Sequence, residues 1–297
     1  MSLLIKIRES KNFTENENIV AKYIFENYRK IYEMTVKNIS ENTFTSIACV
    51  TRMCKKLGLS GFYEFKMKLI EEISLFEKEK VVFKSTDIDK NNDTNKIIEK
   101  LNNLSIESLK ETKLLQNVEL IEKVSKLIKD KGVLDFYGMG ASYIVCIDAQ
   151  YKFMRAGKVT TAFEATDRQY VQACNSDDNH LAILISYSGM TKEIIKIAEI
   201  LNKKGIETVS ITKYTENTVA NLCKYNLYVT SKESLKRSAA IYSRISMLNM
   251  IDVLYLKFSN DNYEEVKKKI IENSIEKEKW FYGLQENLGK SIRNFGR

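Results

Sequence analysis

One short stretch limits what this chain can fold into more than any other. Residues 181–185 are apolar without a break, and residues typical of turns and helix starts follow them: Ser186, Ser188, Gly189 and Thr191. Apolar side chains then return at helical spacing, at Ile194, Ile195, Ile197, Ala198 and Leu201. A continuous apolar run of this length is typical of a strand buried on both faces. A helix directly after such a strand completes half of a βαβ unit.

The turn between this strand and its helix is a candidate binding site. Free N–H groups and the helix dipole favour an anion at a helix amino terminus, commonly a phosphate. The hydroxyls of Ser186, Ser188 and Thr191 would add donors without charge, which suits a sugar phosphate. Ser and Thr are also the usual residues of an ordinary helix N-cap. Taken alone, the turn therefore favours simple capping.

Candidate strands alternate with helical segments through the middle of the chain, at residues 133–137, 159–163, 181–186, 207–211 and 226–229. This alternation predicts an α/β domain with a doubly wound, five-stranded parallel sheet. The first strand runs into Gly138, Gly140 and Ser142, but Tyr143 stands where a dinucleotide-binding fingerprint needs a third glycine. We therefore expect no nucleotide cofactor. Because parallel strands end at one edge, Gly140 and Ser142 should lie near the hydroxyls of residues 186–191, which predicts a phosphate site.

The first 76 residues show only helical periodicity. A short helix around residues 36–41, a polar break at 42–45 and a second helix over 46–57 outline a helix-turn-helix, whose second helix enters the DNA major groove. Residues 46–68 carry five Lys and Arg side chains against one Glu, half of the net charge of +8 of the chain. The residues we expect to hold phosphates or reach base edges are Ser46, Ile47, Ala48, Thr51, Arg52, Lys55 and Lys56.

This segment resembles the DNA-binding domain of the RpiR family of bacterial transcriptional regulators. The shared residues, in order, are Ser46, Arg52, Lys55, Lys56, Leu57, Gly58, Gly61, Phe62, Phe65 and Lys66. The family usually has Thr where this chain has Cys49, which puts one DNA contact in doubt. Domain boundaries are expected at 1–76 for this domain and 77–96 for a polar linker.

The rest of the chain resembles a sugar isomerase (SIS) domain, which RpiR-type regulators carry after the helix-turn-helix. Its motifs are Gly138-x-Gly140-x-Ser142, Lys152-x-x-Arg155-x-Gly157, Ser186-x-Ser188-Gly189-x-Thr191 and Ser243-Arg244. The resemblance implies that Ser142, Ser186, Ser188 and Thr191 bind the phosphate of a phosphosugar, with the backbone N–H of Tyr187 facing the same anion. We expect this domain over 97–260 and a charged C-terminal helix and tail over 261–297.

Composition excludes several classes of protein. No apolar run approaches a membrane span and the amino terminus lacks a signal-peptide core, so we expect a cytoplasmic protein. The five cysteines form no C-x-x-C pair and His180 is the only histidine, so no metal site is predicted. The thiols should be reduced and mostly buried.

These observations predict a transcriptional regulator of carbohydrate metabolism whose affinity for a double-stranded DNA operator is controlled by a phosphosugar effector. We expect a homodimer or a dimer of dimers that the ligand shifts between two arrangements. The apolar helix with Ile241, Ile245, Leu248, Ile251 and Tyr255 is a candidate for the dimer interface, although burial within its own domain explains it equally well.

The alternative is an aldose–ketose sugar-phosphate isomerase on the same fold. That reaction needs a general base beside the sugar. His180 precedes its strand and so should lie at the wrong edge of the sheet. Glu193 and Glu164 could serve as bases, but Glu193 is equally well explained as a carboxylate in the first turn of its helix. An isomerase would have no use for the basic helix, so we expect no catalytic residue.

Overall fold

The computed structural model describes residues 3–10, 12–79, 93–230 and 240–273. Its amino-terminal part contains α1 (Leu3–Glu9), α2 (Glu15–Glu26), a 3-10 helix (Tyr28–Glu33), α3 (Val36–Thr43), α4 (Ile47–Lys56) and α5 (Phe62–Glu79). The apolar faces of these helices meet in one core, which includes Ile24, Ile39, Val50, Met53 and Phe65.

Two further helices, α6 (Thr94–Leu114) and α7 (Val118–Asp130), lead into the sheet. Strands and helices then alternate: β1 (Val133–Gly138), α8 (Ala141–Arg155), β2 (Val159–Ala162), α9 (Thr166–Asn175), β3 (His180–Ile185), α10 (Lys192–Lys203), β4 (Glu207–Lys213), α11 (Thr218–Leu222) and β5 (Tyr225–Val229). Helices α12 (Ile241–Asp261) and α13 (Tyr263–Glu272) follow. The predicted α/β class and all five predicted strands are confirmed.

All strands of the sheet are parallel, in the order β2-β1-β3-β4-β5. The chain leaves β1 for β2 on one side and returns to β3 on the other, so the topological switch point lies between β1 and β3. Gly138, the last residue of β1, is paired with Ile185, the last residue of β3. The loops after these two strands therefore begin side by side.

Helices cover both faces of the sheet, as a doubly wound fold requires. One face packs against α7, α8 and α12 through side chains that include Phe136, Ile183 and Ile211. The other face packs against α9, α10 and α11 through Tyr137, Ala182 and Leu184. Strand β3 contributes to both clusters, which explains why residues 181–185 are apolar without alternation.

Helix α12 is part of this core. Met247, Met250, Ile251 and Leu254 are buried, and Phe258 packs on Phe153 of α8 with ring centroids 5.9 Å apart. Of the five predicted interface residues, Ile251 is buried, whereas Ile241, Ile245, Leu248 and Tyr255 are half-buried, so the dimer interface stays a prediction. Leu256 is an exposed apolar residue of α12.

The helix-turn-helix differs from the sequence prediction at its turn. Asn42 and Thr43 belong to α3, and their side chains donate to the carbonyls of Asn38 and Ile39, four residues earlier, at 2.7 Å in both cases. The helix ends at Thr43, and the next residue, Phe44, has a left-handed backbone with φ 52°. The turn before α4 is therefore Phe44 to Ser46, shorter than the polar break that we predicted.

The predicted domain limits differ from the helices at several points. The predicted linker 77–96 overlaps the end of α5 and the start of α6, and its middle, 80–92, lies outside the described residues. Within the predicted C-terminal segment 261–297, Asp261 is the last residue of α12 and the described helix is α13, Tyr263–Glu272. The residues after 273, including the tail, are also outside the described range.

A buried carboxylate joins the helical part to the sheet. The side chain of Glu111 in α6 is 0% exposed; Arg8 Nη1 of α1 lies 3.3 Å from it, and Thr230, directly after β5, donates to it. Leu114 of α6 packs against the core of the amino-terminal helices. No helix in the described part of the chain is long and apolar enough to cross a membrane.

Candidate functional site

A small cavity of about 80 Å³ opens at the switch point, where β1 and β3 end. Four of the residues predicted from the sequence line it: Ser142, Tyr187, Ser188 and Thr191. The two strand ends that the sequence placed at one edge therefore do meet in one site. This conjunction was the basis for expecting an anion here.

The hydroxyls differ in how far the protein already uses them. Ser142 is 9% exposed, and its hydroxyl has no hydrogen bond with another described residue. Ser188 Oγ accepts from the N–H of Met190 at 3.2 Å, which fixes the turn. Ser186 does not line the cavity; it is buried behind the loop and donates to Thr191 Oγ1 at 3.3 Å. Ser186 thus orients Thr191.

The helices on either side of the cavity begin without a side-chain cap. Gly140 holds the N-cap position of α8 and Thr191 that of α10, and neither makes a capping hydrogen bond from its side chain. At α8 the N–H groups of Ser142 and Tyr143 instead donate to the carbonyls of Met139 and Gly140 at 3.1 and 3.0 Å. Thr191 stands at the N-cap position of α10, but its side chain does not cap the helix. Gly140 shapes the turn, with φ 54°, but does not line the cavity.

Gly189 is required by the packing of the loop as well as by its φ of 63°. A Cβ atom at this position would lie 1.9 Å from Oδ1 of Asn217, and the carbonyl of Gly189 accepts from the N–H of Val219 at 3.1 Å. The loop after β3 is thus held against the loop after β4. A second link is made by the N–H of Lys213, which donates to the carbonyl of Tyr187 at 2.8 Å.

Part of the cavity wall is formed by residues that we did not predict as ligand contacts. Met139 and Ala141 come from the loop and helix after β1, while Ala240, Ser243 and Met247 come from the start of α12. Ser243 is 1% exposed, and it belongs to the Ser243-Arg244 motif that the sequence did contain. The methionines carry no sequence signal that would separate them from ordinary core residues.

The outer face of α4 presents the residues predicted to contact DNA. Ser46, Ile47, Ala48, Arg52, Lys55 and Lys56 are exposed and Thr51 is half-buried. Ser46 caps the helix, since its Oγ accepts from the N–H of Cys49 at 3.2 Å. Cys49 itself is only 1% exposed. The side chain at this position faces the core, so the replacement of the family's Thr removes no surface contact here.

Lys56 is tied to its own domain. Its Nζ lies 2.6 Å from Glu17 Oε2 and donates to the carbonyl of Asn12 at 2.8 Å. The Glu17 side chain is 1% exposed, and it also accepts from the N–H of Thr14 in the capping box of α2. Burial raises the pKa of Glu17, but the hydrogen bonds from Lys56 and Thr14 outweigh it and leave the pKa below its ordinary value.

Two other cations of the basic segment also have internal partners. Lys66 donates to the carbonyls of Tyr32 and Met34 at 2.7 and 2.9 Å, and Lys68 lies 2.6 Å from Glu64. Arg52 is 61% exposed, with Nε 3.8 Å from Glu17 Oε1. Arg52 and Lys55 are thus the cations of this segment that are most open to a DNA phosphate, and the raw charge count overstates the basic surface.

The acid–base candidates of an isomerase lie away from the cavity. His180 opens β3 beside Val133 at the amino edge of the sheet, with Nδ1 2.7 Å from the buried carboxylate of Asp135. Glu164 is exposed and Glu193 is half-buried, and neither lines the cavity.

Four of the five cysteines are buried, Cys174 being the exception, and burial raises the pKa of the Cys54 thiol to about 12.

Family models match both parts of the chain. The rpiR-family helix-turn-helix domain matches residues 1–75, and the SIS domain matches residues 126–257. The cavity and the exposed face of α4 each lie inside one of these matches.

Relatives and a solved structure align with this chain over most of its length. An HTH-type transcriptional regulator of Caldanaerobacter subterraneus subsp. tengcongensis is 34% identical over 92% of this chain and 96% of its own length. The regulator YbbH of Bacillus subtilis is 35% identical over 84% of this chain and 87% of its own. The structure of Vibrio vulnificus NanR complexed with ManNAc-6P has 27% identity and a TM-score of 0.57, covering 91% of this chain and 96% of NanR. The chain belongs to the RpiR family of HTH-type transcriptional regulators.

Proposed function

We propose that this protein binds a DNA operator through α4 and that a phosphosugar in the cavity between α8 and α10 changes its affinity for that operator. The observation that carries the proposal is the difference between the two sites. One presents an exposed face on a capped helix, whereas the other presents two uncapped helix amino termini with neutral hydroxyls. The first suits a DNA groove and the second suits a phosphate.

The phosphate would be held by Ser142, Ser188 and Thr191 together with the N–H of Tyr187, with Ser186 and Gly140 shaping the two loops. All of these groups are neutral, so the helix termini would supply the electrostatic attraction. The cavity is small enough that the sugar ring would extend past it. That NanR was solved with ManNAc-6P supports a phosphorylated sugar as the class of effector.

On the DNA side, Arg52 and Lys55 would hold phosphates, while Ser46, Ile47, Ala48 and Thr51 would face base edges. Lys56 would act mainly by holding Glu17 and α2 in place, in addition to any contact with the DNA backbone. We also propose that the protein works as a homodimer or dimer of dimers, because operator recognition by a helix-turn-helix relies on two half-sites at a fixed spacing.

Contacts between described residues connect the two sites. The carbonyl of Tyr187 accepts from Lys213, and the N–H of the next residue, Tyr214, donates to Val229 at 3.1 Å. Thr230 follows Val229 and donates to Glu111, which is paired with Arg8 of α1. A displacement of the 186–191 loop on ligand binding would thus have a route to α1 through these hydrogen bonds and the backbone between them.

An isomerase remains the second candidate because the fold is shared with such enzymes. A putative sugar-phosphate isomerase of Listeria monocytogenes aligns with a TM-score of 0.52 at 14% identity, which bears on the fold alone. The positions of His180, Glu164 and Glu193 outside the cavity lining speak against catalysis, and we propose that the chain is not an enzyme.

The function is tested by fluorescence anisotropy of the full chain on DNA from upstream of its own gene. Hexose, amino-sugar and pentose phosphates would be added in turn, with the unphosphorylated sugars as controls. We expect tight, sequence-selective binding that one phosphosugar changes and its free sugar does not. Turnover of a phosphosugar without selective DNA binding would establish the isomerase instead.

A further inference from the structure

Phe44, in the turn before the recognition helix α4, has an unusual position for a large apolar residue. Its side chain is 97% exposed, the highest value among the large apolar side chains that the structure describes. The sequence prediction treated it as part of a polar break and assigned it no role. The cores of both domains leave this ring unused.

The backbone conformation of Phe44 is also energetically unfavourable. Its φ and ψ are 52° and 37°, a left-handed conformation that glycine adopts freely and a residue with a Cβ atom does not. Among the described residues, Ala240 is the other non-glycine residue with positive φ, and Ala240 lines the anion cavity. Unfavourable backbone at non-glycine residues is concentrated at functional sites, where the side chain or the shape of the turn is needed.

The turn around Phe44 is firmly held, so the Cα–Cβ bond of this residue has a defined direction. The N–H of Thr45 donates to the carbonyl of Ser40 at 3.0 Å, and the hydroxyls of Thr43 and Thr45 are 2.8 Å apart. Ser46 then caps α4. Ile47, one residue later, is 54% exposed, so the amino end of the recognition helix presents two apolar side chains beside Ser46 and Ala48.

The amino end of a recognition helix is the part that meets base edges, and the methyl group of thymine is the apolar feature of the major groove. We propose that Phe44 packs against a thymine methyl group in each operator half-site and so determines specificity at that base pair. The inference rests on the proposed function, because it requires operator binding through α4. It adds a base-reading residue outside the helix itself.

The test compares wild-type protein with Phe44→Gly, since glycine accepts the left-handed backbone. We expect operator affinity to fall by about tenfold, in the range of one base contact, with no change in its dependence on salt. Because the ring is exposed and the backbone strained, Phe44→Gly should unfold at the same or a higher urea concentration than wild type. A structural role for Phe44 would give the opposite change in stability.

Two controls sharpen this comparison. Arg52→Ala removes a phosphate contact and should reduce the log–log salt slope by about 0.9, which Phe44→Gly should not do. Tyr32→Ala removes another exposed aromatic side chain of the same domain, 61% exposed in the 3-10 helix, and should leave operator affinity unchanged.

The contact itself is tested by replacing each thymine of the half-site with uracil, which lacks the methyl group. At one position the replacement should weaken wild type and have no further effect on Phe44→Gly. An equal loss in both proteins at every position would overturn the assignment, as would an unchanged operator affinity of Phe44→Gly. If Phe44→Gly instead reduced the oligomeric state in solution and left operator affinity intact, Phe44 would contact a second copy of the chain and the proposed DNA contact would be wrong. Failure of wild type to bind any DNA selectively would overturn the proposed function and this contact with it.

Discussion

The start of α4 and the starts of α8 and α10 look alike in sequence and differ in structure. Each has Ser, Thr or Gly before an amphipathic segment. At α4 the hydroxyl of Ser46 closes the helix on the N–H of Cys49, whereas Gly140 and Thr191 leave α8 and α10 without a side-chain cap. The hydroxyl of Ser46 thus caps its own helix, whereas the residues at the N-cap positions of α8 and α10 do not.

The strongest way to break the proposed anion site is to change its backbone. Gly189→Ala would place a Cβ atom 1.9 Å from Asn217 in a backbone with φ 63°. We expect a loss of about 2–4 kcal/mol in the free energy of unfolding, from backbone strain and overpacking, and loss of phosphosugar binding. Urea denaturation measures the first and calorimetric titration the second.

Gly205→Ala is the matched control, because Gly205 has φ 72° but nothing within 4 Å of its Cβ position. Its free energy of unfolding should fall only by the cost of placing a Cβ atom on a left-handed backbone, about 1–2 kcal/mol. Its phosphosugar affinity should stay unchanged. If the two variants were equally stable, the packing of Gly189 on Asn217 would not be what holds the loop.

Single hydroxyls give the sharpest contrast between the two kinds of helix start. Ser142→Ala removes a hydroxyl that no other described residue uses, so stability should stay within about 0.5 kcal/mol of wild type. Phosphosugar affinity should fall about tenfold or more, as for a hydrogen bond to a charged group. Ser46→Ala should do the reverse, with about 1 kcal/mol less stability from the lost cap and no change in phosphosugar affinity. Thermal unfolding and calorimetry of both variants would show whether the roles separate in this way.

The buried carboxylate of Glu17, paired with Lys56 of α4, should give the DNA-binding domain a dependence on pH. The pKa of Glu17 is lowered in the folded protein, so its contribution to stability is complete above the ordinary carboxyl pKa of about 4.3 and is lost as the pH falls through the folded value. Glu17→Gln should therefore cost about 1–3 kcal/mol at pH 7 and progressively less in acid. Urea midpoints at pH 7 and pH 3 test this, and a constant difference between wild type and variant would contradict it.

The sequence was most informative where physical constraints repeat along the chain. The period of the strands and the uninterrupted apolar run at 181–185 required a sheet buried on both faces, and the hydroxyls after β1 and β3 were correctly brought together at its carboxyl edge. The contacts of single polar side chains could not be predicted in this way. Ser186 and Ser188 have the same residue type two positions apart, yet one lies behind the loop and the other lines the cavity.

Long-range partners explain the remaining differences. Lys56 appeared as one more surface cation, because Glu17 lies 39 residues away and nothing in the local pattern indicates their contact. Phe44 was read as part of a polar break, since a left-handed phenylalanine has no sequence signal. The apolar pattern of α12 fits a dimer interface and a domain core equally. The packing of α7 and α8 on this helix accounts for its buried residues, and the dimer interface stays a prediction.

The central claim is that the uncapped helix starts of α8 and α10 hold the phosphosugar that controls operator binding by α4. The most direct measurement is the operator affinity of wild type and Ser188→Ala across a titration of the effector, with ligand-free DNA binding as the check on folding. We expect both proteins to bind the operator alike without ligand, and Ser188→Ala to need about tenfold more phosphosugar for the same change in affinity. The same response at the same phosphosugar concentration in both proteins would contradict the account.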